Sequence, residues 1–117
     1  MVFGFEKLIV WQKSKTLTVD IYTITSNFPD VEKFGLTNKL RRASVSIASN
    51  TAEGSGRFSD KEKNRFYERA YGSAIEVLNQ LIISNELGFI EEHVLQEMRS
   101  SITEICKMLS GLRKSNL

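Results

Sequence analysis

One proline, one cysteine and one histidine stand in 117 residues, and each scarcity removes a class of answer. Pro29 is alone and the seven glycines are widely spaced, only Gly54 and Gly56 lying together, so long stretches run without a helix breaker. That favours long helices over sheets. Cys106 is alone, which excludes an intrachain disulfide and a multi-cysteine metal site and suits a reducing compartment. Its expected role is that of a small buried apolar residue. His93 is also alone. Enzymes built on helical bundles often hold two metals through paired Glu-x-x-His motifs, whose carboxylate and imidazole share one helix face. Glu92 and Glu97 do not stand at that spacing from His93, so no di-iron centre is expected and His93 reads as a surface residue. Ser55 and Ser59 have no histidine or lysine base at a recognisable spacing, which leaves no assigned nucleophile. The expectation is a protein that is not an enzyme and uses no metal or cofactor.

Long hydrophobic runs are missing as well. No window approaches the ~18 to 20 apolar residues needed to cross a bilayer, and Met1 to Glu6 carries no basic stretch followed by an apolar core. A cytoplasmic chain without membrane contact is expected.

What is present is apolar periodicity. With 41% hydrophobic and 26% charged residues, the chain has the balance of one globular domain spanning residues 1–117. Turn residues cluster at Asn27-Phe28-Pro29-Asp30, Gly54-Ser55-Gly56 and Asn85 to Gly88, and three breaks make four helices. The spacing predicts helices over about 7–26, 36–53, 60–87 and 91–112 in an all-α, antiparallel up-and-down four-helix bundle. Val10, Leu17, Ile21, Ile24 and Phe28 form the first apolar stripe; Leu36, Leu40, Ala43, Ile47 and Thr51 form the second. Phe66, Ala70, Ala74, Ile75, Leu78, Leu81 and Ile82 carry the third. The fourth, Leu95, Met98, Ile102, Ile105, Leu109 and Leu112, alternates spacings of three and four and is the clearest. Ser59 and Glu62 form a capping-box pattern at the start of the third helix. Gly72, inside that helix, marks a close crossing or a kink. Trp11 is expected to cap one end of the core or sit in a subunit interface, with the core preferred. The tail from Arg113 to Leu117 is expected to fray.

Two surface features point beyond the core. Arg41, Val45, Ala48 and Ala52 make a second stripe on helix two, small residues flanked by one guanidinium, which lets another helix approach closely and suits an oligomer interface. Charge is also unevenly spread. Residues 36–70 hold eight Lys/Arg against four acids, whereas residues 76–104 hold six acids against Arg99 alone. Within the basic stretch, Lys39, Arg42 and Arg57 flank the end of one helix and the loop after it, and Lys61, Arg65 and Arg69 step along the next at intervals of four. Phe66 and Tyr67 interleave with them. Such arrays bind phosphate backbones because each contact displaces condensed counterions. A solvated helix face neutralised by Asp60, Glu62 and Glu68 is the competing reading. The Gly54-Ser55-Gly56-Arg57 loop lacks the Gly-x-x-x-x-Gly-Lys-Ser/Thr spacing of a phosphate cradle and reads as a helix C-cap and turn.

The segment from Leu40 to Arg57, LRRASVSIASNTAEGSGR, resembles the signature of the bacterial four-helix-bundle proteins encoded in intervening sequences of large-subunit ribosomal RNA genes. Leu8 to Lys13, Phe34 to Thr37, Arg65-Phe66-Tyr67 and Gly72-Ser73 extend the likeness over nearly the whole chain. The resemblance implies an up-and-down bundle that assembles into a ring, typically a homopentamer, with no enzyme activity. It also implies kinship with the accessory variability determinant of diversity-generating retroelements, a basic pentamer that binds nucleic acid and a reverse transcriptase. The partners implied are therefore other copies of the chain, RNA or DNA, and a reverse transcriptase. Of the family motif, Arg41, Arg42 and Arg57 are matched and suited to phosphate. Ala48 replaces a common proline and Thr51 a large aliphatic residue, so helix two is expected to run without a kink; Asn79 stands where an acid is frequent.

Overall fold

A computed structural model describes residues 1–116. It contains α1 (Ile9–Thr25), α2 (Leu36–Ser55), α3 (Asp60–Glu86) and α4 (Glu92–Ser115), with short 3-10 turns at Gly4–Lys7 and Asp30–Glu32, and no strand among the described residues. Each helix packs on its neighbour in the chain, α4 closes against α1, and no Cα atoms of a diagonal pair come within 8 Å among the described residues. The result is an up-and-down four-helix bundle, 43 × 25 × 21 Å.

The apolar stripes place the core. Val10, Leu17, Ile21 and Phe28 are buried from the first segment, and Leu40, Ala43 and Ile47 from α2. They meet Ala70, Ala74, Val77 and Leu81 from α3 and Leu95, Met98, Ile102, Ile105 and Leu109 from α4. Burying each large aliphatic side chain contributes roughly 1.5–3 kcal/mol. Hydroxyls inside the bundle are satisfied locally: Ser14 donates to the Val10 carbonyl, Thr25 to Ile21, Thr51 to Ile47 and Ser84 to Gln80, all within 2.8 Å. A buried hydroxyl left without an acceptor costs about 1–3 kcal/mol, so these turn-internal bonds are what make the positions tolerable. Thr51 therefore fills the aliphatic position without loss, and α2 runs unbroken through Ala48.

The helix ends follow local chemistry. The Ser59 hydroxyl accepts from the Glu62 backbone amide at 3.1 Å and starts α3. At its end the Phe89 amide donates to the Ser84 carbonyl and the Gly88 amide to Asn85, a Schellman closure that needs a left-handed residue, supplied by Gly88 at φ +80°. At the end of α2, Gly54 is a close approach: a Cβ there would lie 2.8 Å from Tyr67 Cε1 and 3.0 Å from Phe66 Cβ.

Several expectations are corrected. Gly72 marks no close crossing, since a Cβ there would meet nothing within 4 Å; Gly54 has that role. Ile75 and Ile82 turn outward at 48% and 36% exposed, and Tyr67, Val77 and Gln80 take the inner face of α3 in their place. Along α3 the apolar residues cover two faces, so periodicity alone does not choose between them. Trp11 lies outside the core, half-buried against Phe5 with ring centroids 5.0 Å apart. Cys106 is half-buried rather than buried. α4 continues past Arg113 to Ser115, and Asn116 donates to Asn64 across to α3. Leu117 is outside the described residues.

Candidate nucleic-acid and self-assembly surfaces

At ~100° per residue, Lys39, Arg42, Ser46 and Asn50 share one outer edge of α2, while Arg41, Val45, Ala48 and Ala52 share the other. The bundle order sends the first set toward α3 and the second toward α1. On the α3 side, Ser46 Oγ and Ser73 Oγ lie 2.9 Å apart and stitch the two helices, with the Asn50 amide donating to Ser46. The six cations singled out in the sequence fall in two groups. Lys39 and Arg42 lie in a groove of about 480 Å³ that also includes Asn38, Glu76 and Gln80. Arg57, Lys61, Arg65 and Arg69 gather around the α2–α3 turn. Thirteen residues of helix run from Arg42 to the end of α2 just before Arg57, or ~20 Å at 1.5 Å per residue.

The second group is organised by an aromatic ring. The Arg57 and Arg69 guanidinium carbons lie 4.4 and 5.0 Å from the centroid of Phe66, which is itself buried. Cation–π contact holds both heads near the surface while their stems cover apolar area. The acids nearby are loosely engaged: Glu53 is 3.8 Å from Arg57 and Glu62 is 3.7 Å from Arg65, all exposed. Such pairs are worth ~0–1 kcal/mol, so a phosphate competes for these cations at little cost. Antiparallel packing adds residues that sequence order concealed. The C-terminal end of α4 lies beside the start of α3, and Arg113, 4.0 Å from Glu68, joins the basic end with Lys114. Phe34 and Phe58 were missed too. They are 85% and 103% exposed and follow Lys33 and Arg57 directly; an aromatic next to a cation in a turn segment was the available signal.

The other edge of α2 forms an opening of a different character. Val45, Ala48 and Ala52 line an apolar groove of about 320 Å³ with Trp11, Lys15, Thr18 and Val19 of α1. Arg41 is outside the groove lining and does not project freely: it donates through Nε to Thr25 Oγ1 at 2.9 Å and lies 4.6 Å from the Tyr22 ring centroid. On the opposite side of the bundle, Tyr71, Ile75, Leu78 and Cys106 line a second groove of about 480 Å³ between α3 and α4. Burial pushes the Cys106 thiol up from its ordinary pKa. A Lys13–Glu104 ion pair at 2.8 Å bridges α1 and α4 and holds the Glu104 carboxyl below the usual glutamate value.

Among the described residues no three His, Cys, Asp or Glu side chains cluster as metal ligands, and His93 is exposed with only Glu91 beside it, at 3.2 Å. No helix among them is long and apolar enough to cross a membrane.

Residues 6–111 match the model of the 23S rRNA-intervening sequence protein family. The chain belongs to this family. The intervening-sequence fold is seen again in a crystal structure from Bacteroides thetaiotaomicron VPI-5482, described as a protein of unknown function from the S23 ribosomal protein family. It superposes with a TM-score of 0.81 at 23% identity, covering 91% of this chain and 99% of the other. That likeness extends to the fold alone. No curated protein shows a significant match to this intervening-sequence protein.

Proposed function

We propose that the protein is a non-enzymatic, self-assembling scaffold whose α2–α3 edge binds nucleic acid. One observation supports this most: the bundle separates its surfaces. Lys39 and Arg42 line the α2–α3 groove and Arg57 and Arg69 meet over Phe66 beside the turn between those helices, whereas the apolar grooves open on the α1–α2 and α3–α4 sides. Two different apolar patches on opposite sides suit a head-to-tail contact, which closes into a ring when the rotation between copies permits. A subunit flanked by copies on those two sides keeps its basic edge free. Different roles for Arg41 and Arg42 are supported too, since Arg41 is engaged by Tyr22 and Thr25 on the α1 side while Arg42 lies in the groove toward α3.

A protein-only oligomer is the second reading, supported by the acids Glu53, Glu62 and Glu76 interspersed along the same edge. Binding of a fluorescent oligonucleotide at several salt concentrations separates the two. Nucleic-acid binding predicts a linear fall of log affinity with log salt, and a weaker, shallower dependence for Arg42→Glu. No binding at low salt, with the oligomer intact, selects the second reading.

A further inference from the structure

Resting on the nucleic-acid reading, we infer that the α2–α3 edge takes a single strand, with one unstacked base against Phe34 at the mouth of the Lys39/Arg42 groove. Phe34 precedes α2 and leaves 85% of its surface exposed, with Lys33 Nζ 5.6 Å from the ring centroid. A large aromatic so placed adds nothing to the core. It offers a flat face beside cations, the combination on which bases of single strands stack.

The groove beside it has the size and chemistry for a base. Its volume of about 480 Å³ falls in the ~300–1,000 Å³ range of small-molecule sites. Lys39 and Arg42 supply charge for a phosphate, and Asn38, Glu76 and Gln80 supply hydrogen-bonding groups. These polar groups can meet a base edge or a phosphate alike, so it is the exposed face of Phe34, not the groove lining, that favours an unstacked base.

Stacked duplex cannot supply such a base without unpairing it, so the site selects for single strands. At the other end of the edge Phe58, fully exposed between Arg57 and Lys61, repeats the pairing of ring and cations. The Ser46, Ser73 and Asn50 cluster between the two ends is polar and uncharged, a stretch over which a backbone passes without strong contact.

The test compares full-length protein binding to ~12-nucleotide single strands of RNA and of DNA and to a hairpin duplex of the same length, by fluorescence anisotropy. Wild type should bind one or both single strands at least about tenfold tighter than the hairpin, and the two single-strand arms decide between RNA and DNA. Phe34→Ala should weaken single-strand binding by about tenfold with unchanged helicity and an unchanged salt slope, since a stacking contact releases no counterions. Phe34→Trp should restore it. Hairpin binding equal to that of the single strands, or a Phe34→Ala variant that binds like wild type, overturns the single-strand site and leaves nucleic-acid binding standing. No binding of any of the three ligands at low salt overturns both.

Discussion

Replacing Gly54 and Gly72 by alanine, one at a time, should move stability in opposite directions, although both glycines lie within helices. Alanine in a helix interior is favoured over glycine by about 1 kcal/mol, partly because it reduces the entropy of the unfolded chain. Gly72 receives that gain in full, because a Cβ there points into open space. Gly54 does not. Its new Cβ would lie 2.8 Å from Tyr67 Cε1 and 3.0 Å from both Tyr67 Cδ1 and Phe66 Cβ, and real Cβ atoms essentially never approach so closely. Tyr67 is 4% exposed and cannot swing away, and Phe66 Cβ is fixed to the α3 backbone, so the relief must come from separating the helices. Overpacking of this kind costs roughly 1–3 kcal/mol. Set against a propensity gain of at most about 1 kcal/mol at this terminal position, Gly54→Ala should be destabilising by about 1–2 kcal/mol and Gly72→Ala stabilising by about 0.5–1 kcal/mol. Urea denaturation at one fixed protein concentration measures both, with unchanged m-values confirming that midpoints report stability. In a thermal melt the shifts should be about 4 °C per kcal/mol. A Gly54→Ala variant as stable as wild type would refute the close approach of α2 to α3. A destabilised Gly72→Ala variant would refute the open surface assigned to that turn.

Three further outcomes are expected. Ile47→Ala, which empties a fully buried site between the helices, should cost about 2–5 kcal/mol in the same urea assay. The Glu104 carboxyl, held low by the Lys13 hydrogen bond and charge, should titrate below an ordinary glutamate by NMR, and Lys13→Met should return it upward. Its folded pKa is depressed, so whatever the pair adds to stability is present above the unfolded value and fades as pH falls through the folded one. Cys106, its thiol raised by burial, should react with iodoacetamide more slowly than free cysteine at the same pH, and unfolding in urea should abolish the difference.

Much of the bundle was legible in the sequence because its signal is local. The α4 heptad from Leu95 to Leu109, the Ser59 cap and the Gly88 turn each depend on residues within a few positions, and each lies where spacing put it. Errors arose where two helices decide an outcome together. Ile75 and Ile82 fit an apolar stripe as well as Val77 and Leu81 do, and it is the placement of the neighbouring helices that leaves them outside the core. Gly72 was a plausible crossing point by its position, yet the crossing belongs to Gly54, whose partner Tyr67 comes from another helix. The candidate site was legible as a set of cations but not as a shape. Spacings of four placed Lys61, Arg65 and Arg69 on one stripe, and helix rise alone separates Arg42 from the end of α2, whereas the arrival of Arg113 beside α3 is a consequence of antiparallel packing.

The absolute mass of an equimolar mixture of Ala48→Glu and Ile75→Glu, measured by light scattering at micromolar concentration, tests the proposed division of surfaces most directly. Each variant puts a charge into one of the two apolar grooves and leaves the other whole. Head-to-tail assembly predicts that wild type is a discrete oligomer, that each variant alone is a monomer, and that the mixture stops at two subunits joined through their intact grooves. Wild type with one subunit's mass at every concentration, or a mixture that stays monomeric, would contradict the account.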